Sequence, residues 1–142
     1  MIKFFIDIFI FCKFKSKESE YKVGFFCESN FIFHYLEPYI LNKSKKVKVI
    51  ILSFENIQSD LIDKSNVFVF RTNFFRQLVF LTLKLNVLYS STPDLNNRIF
   101  QRAKFSKCKY IYLHHTPVSL TLIYNPNAFD AFDAVQSIST YQ

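Results

Sequence analysis

Lys109–Asp133, KYIYLHHTPVSLTLIYNPNAFDAFD, is the stretch from which the fold of this chain can be read. Tyr110–Leu113 is a short aromatic and β-branched run, the pattern of a buried strand. It leads into His114-His115-Thr116-Pro117. Pro117 offers no amide to a ladder and biases Thr116 towards an extended backbone, so the strand is expected to end at Leu113. Two imidazoles at the C-terminal end of a strand stand where open α/β sheets form their ligand crevice. A turn around Tyr124–Asn127 and a last strand near Ala134–Ile138 complete the segment.

Upstream the same rhythm recurs. Tyr21–Cys27, Val47–Ser53, Val67–Arg71 and Val87–Ser91 read as further strands. Between them, helices are expected at Phe31–Asn42, Glu55–Lys64, Asn73–Lys84 and Leu95–Lys104. Asn30 is the expected N-cap of the first, Pro38 its kink, and Asp94 the expected cap of the last. Short apolar strands alternating with helical segments of about ten residues imply βαβ units and a parallel sheet. The expected class is therefore α/β, a Rossmann-like parallel sheet of five or six strands with helices on both faces. The natural strand order is 3-2-1-4-5. Residues 1–20 are set apart as an apolar helix and polar linker, and 21–142 form the Rossmann-like domain.

Half of the 142 residues are hydrophobic and 20% are charged, which suits one domain with its own core. A single Gly argues against dinucleotide and P-loop fingerprints, since both need several. The net charge of +7 is compatible with nucleic acid, an anionic membrane or an anionic substrate. No helix-turn-helix, zinc finger or aromatic RNA-binding motif is legible, so no nucleic-acid partner is expected. Cys12, Cys27 and Cys108 are isolated and lack metal-ligand spacing, which points to a reducing compartment. Neither a metal nor another cofactor is implied.

Phe4–Cys12 is a dense apolar run interrupted by Asp7 and bracketed by lysines. It is shorter than the roughly 20 residues that a spanning helix needs, and no small-residue cleavage site follows it. Two readings remain: a helix packed on the domain, which the apolar character of both its faces favours, or a peripheral segment at a membrane interface. Ser16–Glu20 reads as linker.

In the expected sheet, the C-terminal ends of strands one, four and five meet along one edge. Those ends are Glu28-Ser29-Asn30, Ser91-Thr92-Pro93-Asp94 and His114-His115-Thr116. Their convergence makes Glu28, Ser29, Ser91, Thr92, Asp94 and Thr116 candidate substrate-binding residues, with a histidine as candidate base. Glu28 reads equally as a charge favoured by a helix N-terminus, and Asp94 as a cap. Adjacent histidines on one strand point to opposite faces, so only one of the pair faces the crevice. Asp130 and Asp133 are expected to order the turn before the last strand, and His34 to lie on a helix face.

His114–Ser119, HHTPVS, followed by Leu122–Val135, LIYNPNAFDAFDAV, resembles the acceptor-side domain of the CDP-glycerol glycerophosphotransferase family. Tyr89–Asp94, YSSTPD, and Phe25–Ser29, FFCES, are similar to that family too, and the likeness runs from about Lys22 to the C-terminus. The resemblance implies one half of a GT-B glycosyltransferase fold. It implies transfer of glycerol phosphate from CDP-glycerol to a teichoic-acid or other bacterial surface-polysaccharide acceptor, on the cytoplasmic side of the plasma membrane. The family's base is the histidine before Thr-Pro. Matched without a gap this is His115; matched to His-Gly-Thr-Pro variants it is His114. Family members are longer and bind the nucleotide in a second domain, so the present chain is expected to be a fragment or half of a split enzyme, inactive alone. The rival expectation is a non-catalytic α/β module that holds an anionic polymer or lipid-linked acceptor.

Overall fold

The computed structural model describes residues 1–95, 101–103, 105–114, 125 and 127–137. Helix α1 (Ile2–Glu18) comes first, then strand β1 (Val23–Cys27), helix α2 (Asn30–Ser44) and strand β2 (Val49–Ser53). A 3₁₀ turn (Lys64–Asn66) leads to β3 (Val67–Val69), α3 (Asn73–Thr82), β4 (Val87–Ser90), β5 (Lys109–His114) and β6 (Ala134–Ser137). The six strands form one sheet in the order β3-β2-β1-β4-β5-β6, with every pairing parallel. This is a Rossmann-like α/β sheet. Its order extends the expected 3-2-1-4-5 by the strand that follows the Asp133 turn.

The strand sequences explain their place. VGFFC and VIILS are buried at every position, as parallel strands covered on both faces must be. β1, in the middle of the sheet, carries the chain's one glycine. A Cβ on Gly24 would run into Leu85 and press on Leu88, so the strand packs there only without a side chain. One face of the sheet is covered by α1 and α3, with Phe14, Phe75, Val79 and Phe80 joining Phe26, Ile50 and Leu88. The other face is covered by α2, whose Phe33, Leu36 and Ile40 meet Phe25, Ile51 and Tyr89. Phe25 stacks on Tyr89 at 5.2 Å, and Phe80 meets Phe26 edge-on at 5.1 Å. Phenylalanine thus fills the volume that aliphatic residues fill elsewhere.

Helix α1 is packed on the domain, through polar clasps as well as apolar contacts. Asp7 is fully buried. Its carboxylate accepts from the Arg71 N–H (3.0 and 3.1 Å) and from the Thr72 N–H and hydroxyl (2.7 Å each). Thr72, the N-cap of α3, makes no side-chain cap bond of its own, so Asp7 caps α3 from a neighbouring helix. At the other end of α3, Lys15 donates to the Thr82 carbonyl (2.6 Å) and pairs with Glu18, which accepts from the Lys84 N–H (2.6 Å). The two clasps run α1 parallel to α3. They also draw Ser16–Glu18, expected as linker, into the helix.

Other boundaries move for local reasons. Glu55–Lys64 is not a helix: Asn30 accepts from the Gln58 N–H, Ser59 from the Leu61 N–H and Asp63 from the Ser65 N–H. These short polar side chains offer the backbone partners that compete with helical ones. The N-cap of α2 is Ser29 and not Asn30, with the Ser29 hydroxyl accepting from the Ile32 N–H at 3.3 Å. α2 continues through Pro38. β5 runs one residue past Leu113 to His114, paired with Ser137 of β6. Asp94 has φ +56°, a left-handed backbone, and the turn that it is expected to cap lies outside the described residues. Of the expected Leu95–Lys104 helix, 96–100 and 104 lie outside the described residues, and Gln101–Ala103 are not helical. The Tyr124–Asn127 turn is described only at Asn125 and Asn127, and Ile138 lies outside.

Cys27 and Cys108 are buried, and Cys12 is exposed on α1. Burial pushes the Cys108 thiol up to about 12 and the Cys27 thiol higher still, so both act as small apolar side chains. No helix among the described residues is long and apolar enough to cross a membrane.

Candidate functional site

Ladder register sets the site. Phe26, Ser90 and Tyr112 lie abreast on β1, β4 and β5. Two residues further along each chain come Glu28, Thr92 and His114. The sheet therefore brings the ends of strands one, four and five to one edge. The reversal of strand order falls between β1 and β4, where open α/β sheets form a crevice.

An open cleft of about 480 Å³ lies at this edge, lined by Glu28, Ser29, Phe54, Glu55 and Arg76. Glu28 and Ser29 follow β1, Phe54 and Glu55 follow β2, and Arg76 comes from the first turn of α3. The arginine is fixed in place. Its Nε donates to the Phe70 carbonyl at 3.0 Å, and its guanidinium lies 4.2 Å over the Phe54 ring. Burial pulls Arg76 below the ordinary guanidinium value, while the charges of Asp7, Glu28 and Glu55 pull it back up. A guanidinium stays protonated under such conditions. Glu55 accepts from the Asn30 N–H at 3.1 Å, so a carboxylate already occupies the N-terminus of α2. Ser29 takes a second amide there as the cap.

Among the described residues the cleft thus carries two carboxylates and one guanidinium. A phosphate at the α2 N-terminus would meet Glu28 and Glu55, and like charges repel there. Hydroxyl groups fit better: carboxylates accept from vicinal hydroxyls, and the arginine edge donates. Sequence reasoning identified Glu28 and Ser29 and missed Glu55 and Arg76. No motif marks Glu55; Arg76 is a polar residue in an apolar helix, NFFRQLVFLT, and that interruption is the one available signal.

On the β4 side, Ser91 and Thr92 are buried, and among the described residues neither hydroxyl has a hydrogen-bond partner. Buried hydroxyls without a protein partner are costly and point to a ligand or water that satisfies them. Thr92 is also tied by its own N–H to the Ser90 hydroxyl at 3.1 Å. The Asp94 N–H donates to the Ala128 carbonyl at 2.8 Å, which binds the β4 loop to the turn before β6.

On β5, His114 shares a face with Tyr112 and Tyr110, the face that α3 covers; its ring centroid is 6.3 Å from that of Tyr112. Its Nδ1 is buried. His115 and Thr116 lie outside the described residues. Asp133 orders its turn as expected, with Oδ2 accepting from the Tyr110 N–H (2.7 Å) and meeting Arg102 at 2.9 Å. His34 sits on α2, within 3.2 Å of the Asn30 amide.

No protein-family model matches this sequence, and neither a curated protein nor a solved structure matches it.

Proposed function

We propose that this chain is the acceptor-side half of a glycerophosphotransferase-like GT-B enzyme, and that the Glu28–Ser29–Glu55–Arg76 cleft holds hydroxyl groups of a polyol or glycan acceptor. The observation that carries the reading is the charge balance of the cleft. A site at the sheet's switch point, with carboxylates closing the α2 N-terminus, suits a hydroxylated ligand and opposes a nucleotide's phosphates. Ser91 and Thr92 supply two further hydroxyls along the same edge. Asp94 and Thr116 keep the binding role that the resemblance suggests.

In this reading the CDP-glycerol donor sits on a second domain and the chemistry takes place between the two. The acceptor hydroxyl attacks phosphorus, CMP leaves, and His115 takes the hydroxyl proton, with His114 the alternative base. The protein then works on the cytoplasmic side of the plasma membrane, where its nucleotide donor is held. A second reading, binding without chemistry, is favoured by the same cleft, because among its described lining residues Ser29, Glu55 and Arg76 are already engaged in fixed contacts.

Titration of the chain with ribitol or a short glycerol-phosphate oligomer, followed by amide chemical shifts, tests the binding half. Shifts should centre on Glu28, Ser29 and Arg76, and Glu28→Gln should weaken binding about tenfold through loss of a charge-assisted hydrogen bond. A chain indifferent to polyols, or one that turns over CDP-glycerol alone, would sink the reading. With a donor domain supplied, His115→Ala should lower turnover by about 10²–10⁴-fold while polyol binding persists. Unchanged turnover in that variant moves the base role to His114, and no turnover with the donor domain supplied leaves the binding module.

A further inference from the structure

We propose that the outer face of α1 seats the protein on an anionic lipid surface. Ile2, Phe5 and Phe9 are spaced to share one helix face, and they are 78%, 63% and 70% exposed. Phe74 of α3, 59% exposed, adjoins them through Phe4, its ring 5.9 Å from that of Phe4. A helix that is apolar all round is ordinarily buried all round. Here the inward face is covered and the outward face is not covered by any described residue.

Charge identifies the occupant. Both acidic residues of α1 are turned inward and engaged, Asp7 on the start of α3 and Glu18 on Lys15 and the Lys84 amide. The exposed charged side chains of α1 are Lys3 and Lys13, and among the described residues neither side chain has an ion pair or hydrogen bond. Exposed phenylalanines flanked by lysines and free of carboxylates suit the boundary of an anionic bilayer, rings in the acyl region and ammonium groups at the headgroups. A second copy of the chain fits less well. A two-fold contact sets the same patch against itself, lysine near lysine, with no exposed acid on α1 to offset them.

The seat lies beside the cleft. Asp7 stands between Phe5 and Phe9 in sequence and grips Thr72, and Arg76, one turn further along α3, lines the cleft. Docking would therefore hold that sheet edge against the lipid. The docking stands on α1 alone; only the consequence, that an acceptor carried on lipid would reach the cleft without leaving the surface, rests on the polyol reading.

The test is sedimentation of the full chain with vesicles of phosphatidylcholine, with and without about one-third phosphatidylglycerol. The chain should sediment with the anionic vesicles, less so as salt rises, and weakly with the neutral ones. The double substitution Phe5→Ser/Phe9→Ser should weaken binding at least about tenfold without moving the unfolding midpoint, because both rings are exposed. Lys3→Gln/Lys13→Gln should weaken it several-fold and flatten the salt dependence. Absence of binding to anionic vesicles, or binding indifferent to the phenylalanines, overturns the proposal. A lipid-free dimer that Phe5→Ser/Phe9→Ser dissolves assigns the face to a second copy and overturns it too. Polyol titration reads the cleft separately, so either idea can fail alone.

Discussion

Helices α1 and α2 lie on opposite faces of one sheet and are attached to it in opposite ways. α2 is held by an apolar stripe, Phe33, Leu36 and Ile40, and starts on a cap from the residue that precedes it, Ser29. α1 buries Phe14, but it also turns two carboxylates inward and leaves Phe4, Phe5 and Phe9 outside. The difference follows from what each helix must satisfy. The ends of α3 present backbone groups that α3 itself does not cap, and Asp7, Lys15 and Glu18 supply the missing partners. α2 has no such task, so its inward face can be wholly apolar. The orientation of α1 is thus fixed by polar anchors, and its hydrophobic side is left available for something else.

Removing the anchor is the severest way to break this comparison. Asp7→Ala would leave the Arg71 and Thr72 amides and the Thr72 hydroxyl without their acceptor in a buried position. It should destabilise the protein by about 3 kcal/mol, measured by chemical denaturation. Asp7→Asn keeps one acceptor and should cost less. A loss below about 1 kcal/mol for the alanine would mean that apolar contacts hold α1 and that the clasp is incidental.

Ser29→Ala attacks the corresponding point on α2 and should cost about 1 kcal/mol, the usual loss for one cap. The ratio between the two substitutions is what matters. A Ser29→Ala loss equal to that of Asp7→Ala would mean that α2 also depends on its polar end. The same variant should weaken polyol binding only slightly, since the Ser29 hydroxyl is committed to the Ile32 amide.

Much of this fold was legible because parallel strands buried on both faces announce themselves. FFC, VIIL and YIYL are unbroken apolar runs, and every expected strand is present within a few residues. The Glu55–Lys64 helix was misread because its apolar spacing looks helical, while the Asn, Ser and Asp side chains that defeat it act through contacts with Asn30 and with one another. Glu28 and Ser29 were legible as part of the site because they end a strand. Arg76 was not, because it enters from α3 across about fifty residues of sequence, and only the sheet order places it beside Glu28. Asp7 had the same obscurity. In sequence it merely interrupts an apolar run, and its partners are Arg71 and Thr72.

The smallest effect lies at the far side of the sheet, where Asp133 joins the start of β5 to β6. Burial raises its carboxyl, but the Tyr110 N–H and the Arg102 guanidinium outweigh that and hold it below the ordinary aspartate value. A group whose folded value is depressed contributes stability above its unfolded value, and that contribution disappears as pH falls through the folded one. Asp133→Asn should therefore lower stability at neutral pH and converge with the wild type only in acid, once pH has fallen below the depressed value and the wild-type carboxyl is also neutral. The side chain is 40% exposed and open to screening, so the neutral-pH loss should be about 0.5 kcal/mol and shrink with added salt. A difference that persists unchanged into that acid range would show that side-chain packing matters there and the Arg102 charge does not. Unlike the buried Asp7 anchor, this exposed pair would then be geometry without electrostatics.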